Sequence, residues 1–420
     1  MSIQYSTERM EEEHIQTLLH DFKSSLIELS QTLHDEQSFI KVPSSFTYKG
    51  LTIGHIKNLE KEYGEIEDIY ELSPMQQGLY YHALSEPESH AYFEQFGNKI
   101  KGNLDVDKLK ESFSEIVQRH GVLRTVFRND IGENPLQLVL KEAKIDFRVI
   151  DISTQATEEQ ANYIANYRTE DKDEGFDFSH GVLVRLILIK LSDSDYFQIW
   201  SNHHLNLDGW STNAVLYEFD ELYLSKISGA ALAFKTLAPY SDYIAWLDVF
   251  DRKSALGYWS EYLTDYDTAA SLPKDKQRPI VGLNQDENRK YEPRDYEFNL
   301  PESTTQQLQD LASNNKITLN TVVQSAWGIL LSRYNNTSDV VFGSVVSGRP
   351  SDLKGIQDMV GVFINTIPQR IRYEKEDSFT DLLKSVQTAF ITGETFHHLN
   401  LAEIQHLSEL GKHLIDHLVV

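Results

Sequence analysis

Two successive runs rich in β-branched and aromatic residues, 182–191 and 195–200, read as buried strands, and the second passes through a polar corner into a helical pattern over 211–224. Around them sheet and helix signals alternate. Upstream, 105–120 sets Leu109, Phe113, Ile116 and Val117 at helical spacing, 136–140 and 147–150 are strand-like, and 158–169 is helical. The stretch 119–127 reads as a helix end running into a strand. A helix opens at Ser73, with Pro74 in its first position and Gln76 where a capping-box partner belongs. Downstream, 229–237 is a connection and 240–246 starts a helix that continues brokenly to 263. Helices are expected at 302–312, 319–334 and 379–392, and strands at 296–300, 340–346 and 414–420. The charged, Pro-containing segment 265–292 is expected to be a mobile interdomain connection.

Before residue 66 the pattern is thinner. A short strand at 3–6 and a helix over 7–33, with Ile15, Leu18, Leu19, Phe22, Leu26 and Leu29 on one side, do not make a domain, and 34–65 reads as a linker with some helix near 53–61. The 420 residues suit two domains of roughly 200 residues each, the first α/β with a mixed sheet. A net charge of −25 argues against a nucleic-acid partner or an anionic membrane surface, both of which select basic patches. The absence of cysteine removes disulfides, thiolate metal sites and a cysteine nucleophile together, so thioester chemistry here would bring its sulfur on the substrate. Neither a long apolar span nor an N-terminal signal segment is present, which reads as soluble and cytoplasmic.

Candidate chemistry concentrates at the strand-to-helix corner Ser201-Asn202-His203-His204-Leu205-Asn206-Leu207-Asp208-Gly209-Trp210-Ser211. Successive strand side chains face opposite ways, so one of His203 and His204 should face the core and the other a site. Asp208 at the turn and Gly209 behind it, permissive in backbone angle, complete an acid/base arrangement. Adjacent histidines alone carry little, since the chain holds 15 His and His397-His398 is a second pair. A metal hydrolase using His203, His204 and Asp208 is disfavoured by the same alternation and the lack of an evident third ligand.

Several stretches in one order resemble the condensation domains of nonribosomal peptide synthetases: Leu72-Ser73-Pro74-Met75-Gln76, 119–127 opening with Arg119-His120, 203–211, 240–246 and 360–366. The resemblance implies an α/β fold of two chloramphenicol-acetyltransferase-like lobes, 66–228 and 229–420, arranged in a V with an active-site tunnel at their junction. It implies peptide bond formation between a donor aminoacyl or peptidyl thioester and the amine of an acceptor aminoacyl thioester. Both would ride on phosphopantetheine arms of upstream and downstream carrier proteins, with no cofactor or metal held by the domain itself. By resemblance His204 faces the tunnel as base or amine-positioning group and His203 is structural. Asp208 pairs with an arginine, Arg119 or Arg124 ahead of Arg349. Gly209 leaves room for substrate and offers its N–H to the developing oxyanion. Ser347 and Asn365 are candidates to hold the phosphopantetheine arm, or else satisfy strand ends, and Tyr243 and Trp246 are packing.

Two departures bear on the boundaries. The later motif, His397-His398-Leu399-Asn400-Leu401, is a loose match, and the family's closing strand and helix fall beyond Val420, leaving the second lobe incomplete. Residues 1–65 resemble the ending and linker of a preceding epimerization domain, which makes epimerization and adenylation domains expected neighbours. That strand and helix could also dock where the missing closing ones belong. Within the fold the rival is an epimerization domain, which needs a second acid/base group, usually a Glu, that the sequence does not place. Heterocyclization domains carry aspartates in place of the His pair. A non-catalytic module that keeps the fold to bind carrier proteins is the alternative of a different class.

Overall fold

In the computed structural model, residues 6, 9–35, 41–273 and 296–420 are described. The first elements are helices α1 (Glu12–Asp35) and α2 (Ile53–Tyr63). The helix expected over 7–33 therefore forms, but its apolar stripe does not bury. Ile15 is in the core while Leu18, Phe22, Leu26 and Leu29 are exposed. The strand expected at 3–6 falls largely outside the described residues.

Strand β1 (Ile66–Glu71) leads into α3 (Pro74–Ser85), β2 (Phe93–Lys101) and α4 (Val106–Arg119). Then come β3 (Thr125–Arg128), β4 (Leu136–Leu140), β5 (Asp146–Asp151), α5 (Thr157–Glu174), β6 (Val184–Lys190), β7 (Asp195–His203) and α6 (Gly209–Ser228). Two sheets result, β1-β4-β3 and the mixed β2-β7-β6-β5, in which only the β5–β6 pairing is parallel. On one face of the larger sheet, α4 and α6 bury Phe113, Ile116, Val215 and Phe219 against Leu186, Leu188 and Trp200. Helix α5 covers the other face, where Ile187, Ile189, Phe197 and Ile199 meet its Tyr163, Ile164 and Tyr167. Its fully buried Asp171 accepts hydrogen bonds from Arg185, Gln95 and Ser201, so charge-assisted bonds anchor a helix that has little apolar face. The capping box of α3 is formed as expected: Ser73 Oγ accepts from Gln76 N, and Gln76 Oε1 accepts from Ser73 N. The Gln76 amide then donates to the carbonyl of Leu205 at 2.9 Å, tying this helix start to the polar corner.

The remainder holds α7 (Tyr240–Asp248), α8 (Arg252–Tyr262), α9 (Glu302–Asn315), α10 (Leu319–Asn335), β8 (Asp339–Val346), β9 (Asn365–Arg372), α11 (Phe379–Gly393), α12 (Leu401–His406) and β10 (Leu418–Val419). The three strands form the sheet β10-β8-β9. Trp259, Ile404 and Leu414 pack with Val341, Val346 and Ile367, while Leu331, Leu382 and Val386 pack with Val340, Phe342 and Ile371.

Three expectations need correction. Residues 296–300 alternate as a strand would, yet they form none: no described strand supplies ladder bonds, and Tyr296 and Phe298 stand exposed. The strand expected over 414–420 shrinks to β10, because Leu414 is drawn into the core at the end of a helical turn. Of the segment 265–292, the part beyond 273 lies outside the described residues, and the described part is packed. Tyr266 is buried, and its hydroxyl accepts from Val341 N at 3.0 Å and Ala270 N at 3.2 Å.

Candidate active site

The polar corner lies at the end of β7, which runs past the apolar signal of 195–200 and stays in the sheet to His203. Edge strand β2 continues the ladder to the corner: Glu94 pairs with Asn202, Phe93 with His203, and His204 N donates to Tyr92 O at 2.8 Å. Pairing holds the backbone straight through His203, so the two imidazoles diverge. His203 packs edge-on against Phe178 with ring centroids 4.9 Å apart, and its Nδ1 accepts from Leu205 N at 3.1 Å. Burial, helped by the neighbouring His204 and opposed by the Ala91 carbonyl, pulls its pKa down to about 3, so it is neutral at physiological pH.

His204 shares the other face with Asn202. Its side chain keeps 20% exposure, and its Nε2 lies 3.9 Å from Oε1 of Glu94, itself 26% exposed. The second Glu94 oxygen accepts from the Asn202 amide at 3.0 Å, and the Asn202 oxygen accepts from Trp200 Nε1 at 3.1 Å. A half-open imidazole and a carboxylate held from behind thus stand side by side in an otherwise buried setting. Two groups of this kind can take hydrogen bonds or a proton from a nitrogen placed between them.

Asp208 is fully buried and caps α6, its Oδ1 accepting from Ser211 N at 2.8 Å and its Oδ2 from Phe363 N at 3.0 Å. One carboxylate therefore joins the corner to the segment before β9. Ser211 Oγ extends the clasp: it donates to Gly361 O at 2.8 Å and accepts from Arg349 Nη2 at 3.1 Å. Arg349 Nη2 lies 4.0 Å from Asp208 Oδ1, and the guanidinium also donates to Ile356 O and Met359 O and stacks on Phe363 at 4.0 Å.

A family model, the condensation domain, matches residues 66–420. The chain belongs to the condensation-domain family. Bacitracin synthase 3 of Bacillus licheniformis is 37% identical over 418 residues, which is 99% of this chain and 6% of that protein. Gramicidin S synthase 2 of Brevibacillus brevis is 39% identical over 355 residues, 84% of this chain and 8% of that protein. The condensation domain described here therefore spans a small part of each relative's length. The first condensation domain of the calcium-dependent antibiotic synthetase, in complex with a substrate analogue, superposes with a TM-score of 0.66 at 18% identity, over 82% of this chain and 78% of that one. The X-domain of teicoplanin biosynthesis in complex with OxyB has a TM-score of 0.64 at 21% identity, covering 80% and 72% of the two chains. The α/β fold and the nonribosomal-synthetase family read from the motifs thus hold.

Within this condensation domain several expected roles move. Arg119 and Arg124 are not the partners of Asp208. Arg119 is held by Glu218 at 2.7 Å and stacks on Phe234, and Arg124 by Glu67 at 2.7 Å and by backbone carbonyls. The partner is Arg349, which loops back from the far end of β8. Gly209 has an ordinary helical backbone, and a Cβ there would meet nothing within 4 Å, so neither backbone angle nor crowding within the chain requires a glycine at this position. As the first residue of α6 its N–H has no intrahelical acceptor. Asn365 is spent on structure: its amide donates to His397 O and Leu399 O at 2.7 and 2.8 Å, and its oxygen accepts from Thr366 N. Ser347 is exposed and lines a cavity of about 340 Å³ with Trp246, Arg349, Asp352 and the second pair, His397 and His398. Burial holds both of those imidazoles near pKa 4, with His398 adding to the shift of His397 and Asp352 opposing that of His398. Glu94 escaped the sequence reading, because nothing in its local pattern marks it and only the β2–β7 register brings it to His204.

Proposed function

We propose that this condensation domain joins a donor aminoacyl or peptidyl thioester to the amine of an acceptor aminoacyl thioester, both carried on phosphopantetheine arms of carrier proteins. The observation that carries this is the asymmetry of the His pair: His203 buried and neutral, His204 half-open beside a carboxylate. Attack of an amine on a thioester needs no enzyme-bound intermediate. Positioning alone can supply roughly 7 to 11 kcal/mol of barrier reduction. His204 accepts a hydrogen bond, and then the proton, from the attacking nitrogen. Gly209 leaves the space beside it free and turns its N–H toward the carbonyl oxygen as it gains charge. Asp208, Ser211 and Arg349 keep the corner against the 360–363 segment. Ser347 is retained as a contact for a phosphopantetheine arm, and Asn365 acts by holding the segment that carries His397.

The lobes are assigned as 66–228 and 229–420, with the reaction in a passage between them. Residues 1–65 are assigned to the tail of a preceding epimerization domain and its linker. The support for this is the sequence pattern of a helix followed by a polar linker ahead of residue 66. A donor chain ending in a D-residue follows from that assignment, as do neighbouring epimerization and adenylation domains. No described helix is long and apolar enough to cross a membrane, and a cytoplasmic setting suits the expected carrier partners.

Epimerization at this corner is the weaker reading on geometric grounds. Inverting an α-carbon with two groups requires them on opposite sides, each about 3 to 3.5 Å from the carbon, hence roughly 6 to 7 Å apart. Glu94 and His204 stand on one side at 3.9 Å. The decisive experiment loads donor and acceptor carrier proteins with aminoacyl thioesters and follows dipeptide by mass spectrometry. Dipeptide from the unaltered protein that falls at least about a hundredfold in His204→Ala is the expected result. Carrier binding without dipeptide would leave a recruiting module instead.

A further inference from the structure

The carboxylate beside His204 is placed too specifically for a bystander. Glu94 sits on edge strand β2, directly opposite Asn202, whose buried amide fixes one carboxylate oxygen at 3.0 Å. Asn202 is in turn oriented by Trp200 Nε1 at 3.1 Å. The other oxygen, Oε1, has no hydrogen-bond partner among the described residues and lies 3.9 Å from His204 Nε2, too long for a hydrogen bond between them and short enough to share a guest. A nitrogen about 2.9 Å from both acceptors subtends an angle near 85° by simple triangulation of that 3.9 Å gap. Slightly bent hydrogen bonds bring this within reach of the two N–H bonds of one tetrahedral amine. Both groups are partly open, whereas Asn202 and Trp200 behind them are closed to solvent.

The geometry points to Glu94 as a second acceptor for the nucleophile: His204 and Glu94 together grip the two N–H bonds of a primary amine and leave its lone pair aimed at the donor carbonyl. This rests on the condensation reading above and deepens it, since it names a class of acceptor, a primary rather than an N-alkylated amine. In the reaction the nitrogen lone pair forms the C–N bond and the C–S bond breaks. One N–H proton passes to His204, and the departing sulfur takes up a proton, so amine plus thioester becomes amide plus thiol. Glu94 gains and loses no proton overall. It holds the second N–H through the transition state, when the nitrogen bears positive charge and a carboxylate acceptor is worth most.

The test compares a primary-amine acceptor thioester with its N-methyl analogue in the full chain, with kcat and KM measured for the unaltered protein, Glu94→Ala and Glu94→Gln. Gln keeps the bulk and the bond from Asn202 but presents an NH2 where an acceptor is needed. Loss of one charge-assisted hydrogen bond predicts a fall of roughly ten- to a hundredfold in kcat/KM for the primary amine. The N-methyl acceptor, which has one N–H in its neutral form, should lose less than about threefold, so discrimination between the two collapses. Equal losses for both acceptors, or none, would overturn the inference while leaving the condensation reading intact, provided the unaltered protein makes dipeptide and His204→Ala does not. If the unaltered protein makes no dipeptide, the condensation reading falls and this inference with it. Unchanged thermal unfolding of Glu94→Gln separates lost recognition from lost fold.

Discussion

Asp208, the buried carboxylate of the polar corner, makes only structural contacts among the described residues. It has three duties: capping α6 through Ser211 N, binding Phe363 N, and facing Arg349 at 4.0 Å. Removing it would strip a cap worth about 1 kcal/mol and leave a buried N–H unpaired at about 1–3 kcal/mol. It would also leave the Arg349 charge buried with no carboxylate beside it, where breaking a buried pair costs about 3–5 kcal/mol. These terms overlap, so we expect Asp208→Ala to lose at least about 3 kcal/mol in urea unfolding. Asp208→Asn, which keeps an acceptor oxygen for the cap, should lose distinctly less. The same residue-level logic separates the histidines. His203 spends its Nδ1 lone pair on Leu205 N and is held neutral, while His204 keeps Nε2 turned toward Glu94.

Among elements, the determining contact is β2 laid antiparallel along β7. Its register sets Glu94 opposite Asn202, and a slip of one residue would turn the carboxylate to the face occupied by α5. The second contact is made by the starts of α6 and α7 with the loop leading into β9, where Asp208 N donates to Gly361 O and Tyr240 Oη to Val362 O. Gly348, just after β8, lets Arg349 reach this clasp. Its φ of +59° is left-handed, and a Cβ there would collide with the Phe363 carbonyl. We expect Gly348→Ala to lose more than about 2 kcal/mol of stability, from left-handed strain plus displacement of residue 363. Dipeptide formation should fall with it, and urea unfolding run beside the mass-spectrometric assay would check both.

For the whole molecule, three buried imidazoles make acid the expected weak point. His203 at about 3, and His397 and His398 at about 4, all lie below the ordinary 6.5. Each is neutral in the folded protein down to its depressed pKa, whereas the unfolded chain takes up a proton below about 6.5, so stability is fully present above 6.5 and drains away as pH falls. At pH 5 each site costs about 2 kcal/mol. Depression of Glu218 to about 2 acts in the same direction further down, once the unfolded carboxyl begins to protonate near 4.5. Urea midpoints should therefore drop steeply between pH 7 and pH 5. Replacing His398 with an apolar residue of similar bulk should flatten that slope by about one proton's worth.

What the chain alone determined was everything written in local spacing. Helical periodicity placed Phe113 and Ile116 in the core, Ser73, Pro74 and Gln76 announced the start of α3, and strand alternation correctly split His203 from His204. Ordered motifs carried the family, because a pattern of residue types survives without any knowledge of contacts. Tertiary structure decided what depends on partners distant in sequence. Arg349, rather than Arg119 or Arg124, faces Asp208 because each of the nearer arginines has its own carboxylate, Glu218 and Glu67. The alternation of 296–300 failed to make a strand because a ladder needs a neighbour as well as a propensity. Glu94 reached the site through a register between strands roughly a hundred residues apart, a relation that no local pattern encodes.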